Sequence, residues 1–144
     1  LTLTSVGAGA GRQGALHDFG VAPRARKFIW VGFVKFATPP VVGETVDIYI
    51  KRAWSETATP THADNDDGTG DAALSAEDKL RTLQYIGSIE VDEASTTPEF
   101  NATGTVEINS RHGAPVFFND TADALSSTAA DHGFELKAVP DEIQ

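Results

Sequence analysis

Residues 27–37, Lys-Phe-Ile-Trp-Val-Gly-Phe-Val-Lys-Phe-Ala, constrain this chain more than any other segment. A short run rich in β-branched and aromatic residues reads as a strand. Successive side chains of a strand point to opposite faces. Phe28, Trp30, Val34 and Phe36 therefore share one face, and Ile29, Val31 and Phe33 share the other. Both faces are apolar, and such a strand must be covered on both sides. One cover is the domain core. The other is expected to be the N-terminal part of the chain or a partner's surface.

Period-two alternation recurs along the chain. Residues 1–6 alternate and read as a short strand. In 45–54, Val46, Ile48, Ile50 and Trp54 are expected to point in, with Asp47, Tyr49 and Lys51 pointing out; Arg52 breaks the pattern. Residues 81–92 place Leu83, Tyr85, Gly87, Ile89 and Val91 on one face. Residues 99–109 put Phe100, Ala102, Gly104, Val106 and Ile108 in, and residues 114–118 and 133–139 add two more strands. These strands are too close together for crossover helices, so the sheets should be antiparallel. The expected fold class is all-β: an antiparallel, jelly-roll-like sandwich of about seven to eight strands. With 144 residues, the chain suits one sandwich domain over 27–144, preceded by an N-terminal strand and a Gly/Ala-rich arm over 1–26.

Charge divides the chain unevenly. The net charge is −10, yet residues 1–52 carry seven Lys and Arg against three acids, and residues 53–144 carry four against eighteen. The acidic total argues against nucleic acid as the main partner. The basic arm, with Arg12, Arg24, Arg26 and Lys27, is suited to an acidic neighbour, including another copy of the chain. The chain has no cysteine, which excludes disulfides and thiolate chemistry. No apolar run is long enough to span a membrane as a helix. The N-terminus lacks the order of a signal peptide, and a start at Leu1 suggests a processed form.

Candidate chemistry is sparse. Gly9-Ala10-Gly11-Arg12-Gln13-Gly14 matches a dinucleotide fingerprint, but Gly20 and Pro23 prevent the helix that should follow, and no acid occurs between Asp18 and Glu44. The run Asp64-Asn65-Asp66-Asp67-Gly68-Thr69-Gly70-Asp71 gathers hard oxygens, making Asp64, Asp66, Asp67 and Asp71 calcium candidates. Its register is not that of an EF-hand, because Ala76 stands where the twelfth-position Glu should be. The four histidines lack zinc-like spacing, and there is no Gly-x-Ser-x-Gly. No catalytic residue, resident metal or cofactor is expected. Trp30 and Trp54 lie on apolar parities and read as core; if exposed, they or Tyr49 could stack on sugars.

The order of these segments resembles a family of small tailed-phage virion proteins, the capsid decoration or cement proteins. The resemblance runs over most of 28–144. It rests on the strand Glu44-Thr45-Val46-Asp47-Ile48-Tyr49-Ile50 and the polar loop with Asp67-Gly68 and Asp71-Ala72-Ala73-Leu74. It continues through Leu83-Gln84-Tyr85-Ile86-Gly87-Ser88-Ile89 and the tail Val139-Pro140-Asp141-Glu142-Ile143-Gln144. It implies a sandwich located on the virion surface. Such a protein is non-enzymatic and stabilises the shell by bridging neighbouring capsid subunits. The implied partners are a major capsid protein and further copies of the chain in a homo-oligomer such as a trimer. The expected contact residues are Arg12, Arg24, Arg26, Lys27, Ile29, Val31 and Phe33. The alternative is a carbohydrate- or receptor-binding sandwich, stabilised by calcium if the acidic loop holds an ion.

Overall fold

The structure, a computed structural model, describes residues 1–21, 24–55 and 68–140. Among these residues the alternating segments form nine strands: β1 Ala10–Gln13, β2 His17–Asp18, β3 Lys27–Val34, β4 Thr45–Ala53, β5 Ala72–Ala73, β6 Gln84–Glu90, β7 Phe100–Glu107, β8 His112–Asp120 and β9 Gly133–Ala138. They build two antiparallel sheets packed as a sandwich. The larger runs β5-β1-β8-β4-β6, with β2 also on β8, and the smaller runs β7-β3-β9. Two short 3-10 helices, Glu77–Thr82 and Ala129–Asp131, lie in the connections before β6 and β9.

The core lies between the sheets. Phe28, Trp30 and Val34 of β3 meet Val46, Ile48 and Ile50 of β4, Ile89 of β6 and Phe117 of β8, all buried. The Trp30 indole is sandwiched between glycines. A Cβ on Gly104, its neighbour in the same sheet, would lie 2.8 Å from Nε1, and one on Gly87 of the facing sheet 2.7 Å from Cζ2. Gly87 also has a φ of 153°, which other residues rarely adopt.

Four sequence expectations are corrected by local geometry. Residues 1–6 form no strand: Ser5 has a φ of 56°, so the chain turns, and both Leu3 and Val6 reach the core. The strands of the N-terminal region are instead β1, which lies inside the larger sheet between β5 and β8, and the two-residue β2, which also pairs with β8. Part of the segment read as an arm is thus built into the fold. Tyr85 points outward because β6 carries a bulge opposite Ile48 and Tyr49: Ile48 pairs with Gly87 but Tyr49 pairs with Tyr85. The skipped residue, Ile86, turns toward the core instead. Lys51 has the expected outward parity but is 0% exposed, because the chain at Gly68 covers it. Its Nζ donates to the Gly68 carbonyl at 2.6 Å and to Gln13 Oε1 at 3.4 Å, while Gln13 Nε2 donates to the carbonyls of Gly68 and Gly70.

The long strand β8 contains Pro115, which lacks a donor for a ladder bond. It falls where the neighbouring ladder is interrupted, after β1 ends opposite Val116 and before β2 begins opposite Gly113. Its carbonyl still accepts from Gly14 N at 2.8 Å.

Candidate functional site

The second face of β3 is the outer surface of the smaller sheet. Because β3 is central, its outward residues form the midline of that surface. Ile29 is flanked by Thr105 and Lys137, Val31 by Thr103 and Glu135, and Phe33 by Asn101 and Gly133. Ile29 and Val31 are each 43% exposed. Phe33 is half-buried because its ring lies over Gly133, where no Cβ would fit. The result is a narrow apolar stripe between a row of threonines and a row of alternating charge. Thr103 is anchored by donating from Oγ1 to the Trp30 carbonyl at 2.7 Å.

The basic residues divide into two groups. Arg26 and Lys27 are exposed at the start of β3, beside the stripe. Arg12 and Arg24 are used within the fold. Arg12 Nε donates to Asp71 at 2.6 Å. Arg24 donates from Nη1 to the carbonyls of Ala25 and Ile108 and from Nη2 to those of Asn109 and Ser110, clamping the turn between β7 and β8. Arg12 and Arg24 are thus held by partners within the fold. Apart from Ala25, their acceptors lie far away in sequence, so spacing could not reveal them.

Of the four calcium candidates, Asp64, Asp66 and Asp67 lie outside the described residues. Asp71 is engaged by Arg12. Burial works to raise its pKa, but the hydrogen bond and charge of Arg12 prevail and the net shift is downward. No group of three or more His, Asp or Glu among the described residues could hold a metal ion. The short strand β2, within the segment read as an arm, brings Asp18 against Arg111. Arg111 Nε and Nη2 donate to its two carboxylate oxygens at 3.0 and 2.7 Å, and His112 Nε2 lies 3.8 Å away.

The Trp54 expectation fails. β4 ends at Ala53, so strand parity no longer governs Trp54, which is 67% exposed; Trp30, at 2%, is core as expected. No protein-family model matches the chain, and no curated protein matches its sequence.

Three carboxylates give the fold an acid limit. Asp18 is held well below the usual carboxylate range by the hydrogen bonds from Arg111 and the Gly20 N–H. Asp131 is lowered by the Ser126 hydroxyl and by Lys35, and Asp71 by Arg12 against its burial. A carboxylate whose folded pKa is depressed contributes stability that is present above its unfolded value, about 4, and lost as pH falls below it. The urea midpoint is expected to be level near neutrality and to drop below about pH 4. Asp18→Asn should lower the midpoint at pH 6 and flatten the acid slope, as urea titrations at a series of pH values would register.

Proposed function

We propose that this chain is a structural binding module that seats the outer face of β7-β3-β9 on another protein. In its specific form it is a non-enzymatic decoration protein on a phage virion, bridging neighbouring capsid subunits. The supporting observation is the pair Ile29 and Val31, apolar and nearly half-exposed on the central strand of the smaller sheet rather than at its margin. Burying such a stripe releases about 25 cal/mol per Å² of apolar area, less the cost of association. Arg26 and Lys27 at one end suit an acidic docking surface and would speed encounter. The partners in this reading are a major capsid protein and further copies of the chain, and repetition over a symmetric shell multiplies weak contacts into avidity.

The test is the double variant Ile29→Lys, Val31→Lys. Both side chains are exposed, so the fold should survive, with an unchanged circular dichroism spectrum and melting cooperativity. Co-sedimentation with phage particles from the producing host is expected to fall by roughly 100-fold, as for loss of central interface residues. Undiminished decoration by the double variant would refute this use of the face. A wild-type chain that stays monomeric and binds no shell would refute the reading as a whole.

A further inference from the structure

Beyond the outer face, the edge of the smaller sheet at β9 stands out. Among the described residues β9 pairs with β3 alone. The other margin of that sheet, β7, lies against β6, where Gln84 Nε2 donates to the Glu107 carbonyl at 3.3 Å. Val139 N donates to the Lys27 carbonyl at 2.9 Å, which fixes the phase of the β3–β9 ladder. Gly133, Glu135 and Lys137 therefore turn their backbone groups to β3, and Phe134, Leu136 and Ala138 turn theirs to the edge. Native edges are commonly blunted by a bulge, a proline or shortness. β9 has six residues in unbroken register and none of these devices. The side chains of Phe134, Leu136 and Ala138 border an open cavity of about 320 Å³ shared with Phe19, Phe28 and Pro115, so apolar surface continues up to the edge. Glu135 and Lys137, on the outer face, are exposed and opposite in charge.

We propose that β9 pairs with β9 of a second copy of this chain, antiparallel and centred on Leu136, joining the two smaller sheets into one. Self-complementarity identifies the occupant. In this register Leu136 meets Leu136, Phe134 meets Ala138, and Glu135 meets Lys137. Every edge N–H and C=O of Phe134, Leu136 and Ala138 then finds its counterpart on the other copy. Glu135 and Lys137 fall at the non-hydrogen-bonded positions, where side chains across an antiparallel ladder come closest. Phe134 against Ala138 sets a large side chain beside a small one and extends the apolar row across the two-fold axis. Centring the pair one residue earlier sets Glu135 against itself, and one residue later sets Lys137 against itself. A strand of unrelated sequence would satisfy the backbone but not this order of charges. The symmetry is that of an isologous pair, in which each contact occurs twice. The pairing sets the two Ile29–Val31 stripes on one continuous face, about 14 Å apart at the spacing of neighbouring strands. It does not depend on that face docking on a shell.

Sedimentation equilibrium of the full chain from about 1 μM to about 1 mM spans the dissociation expected of an interface at the small end of the range. A monomer–dimer equilibrium is expected, with amide exchange at Phe134, Leu136 and Ala138 slowed in the dimer. Glu135→Lys and Lys137→Glu should each weaken dimerisation by about tenfold or more, because two-fold symmetry counts each reversal twice. Both side chains are exposed, so the fold should survive. The double variant Glu135→Lys, Lys137→Glu should dimerise like wild type. The two single variants, mixed, should pair with each other more tightly than either pairs with itself. A chain that is monomeric throughout that range, a trimer, or a dimer indifferent to these reversals would overturn the proposal. Particle decoration is scored separately. Dimerisation without decoration supports the pairing and counts against the docking face, and decoration by a monomer does the reverse.

Discussion

A chain lacking residues 1–26 is expected to lose its cooperative fold rather than a dispensable arm. The segment supplies core side chains and strands of the larger sheet. Leu3 and Val6 are buried at 2% and 9% exposure, each worth up to about 1.5–3 kcal/mol of apolar burial. β1 pairs with β8 from Ala10↔Asn119 to Gln13↔Val116, and Ser5, Gly9 and Gly14 donate backbone bonds to Ser126, Asn119 and Pro115. Asn119, fully buried, donates from Nδ2 to the carbonyls of Val6, Gly7 and Asp123 and would lose two of these acceptors. Arg24 would release the turn after β7. At about 1 kcal/mol net per hydrogen bond, these losses together are comparable with the 5–15 kcal/mol that holds an ordinary domain. Far-ultraviolet circular dichroism and thermal melting of the truncated chain would decide the matter. A melt as sharp and as high as that of the intact chain would mean that β8 does not depend on β1.

Trp30→Ala is expected to cost about 3–5 kcal/mol, the range for removing a large aromatic from a core. The two glycines against its ring make collapse difficult, because neither has a side chain that could move into the vacated space. Trp30→Phe should cost less than half as much. The indole Nε1 is buried without a hydrogen-bond partner, so the smaller ring also removes an unsatisfied donor. Equilibrium urea denaturation of the three proteins would give the comparison, and equal losses for Ala and Phe would contradict the packing described. Gly104→Val approaches the same contact from the other side and is expected to force the ring out of place.

What could be read in advance follows from where strand parity is the controlling variable. Phe100 to Glu107 alternate in sequence and alternate in burial at both ends, because β7 is regular and covered on one side only. Parity fails wherever another segment intervenes. The β6 bulge turns Tyr85 outward, where it meets Tyr49 edge to face at 5.4 Å. The cover over Lys51 hides a charge that would otherwise face water. β1 was invisible for a different reason: Ala-Gly-Arg-Gln has little intrinsic strand preference, and pairing with β8 imposes its conformation. At the candidate sites, Ile29 and Val31 were legible because an apolar residue on the wrong parity is conspicuous. The exposure of Trp54 was not, since it depends on where β4 stops.

The position of β3 between β7 and β9 has a consequence for biosynthesis. The greasiest segment is made well before its second neighbour, Gly133–Ala138, which follows the other eight strands of the described residues. Pairing so distant in sequence is slow to form, and an unsatisfied strand edge invites aggregation meanwhile. Lys27 and Lys35 bracket that segment, and charges in such places act as gatekeepers against intermolecular stacking. A ribosome-bound nascent chain stopped short of β9 should therefore engage chaperones strongly, and release from them should coincide with emergence of β9.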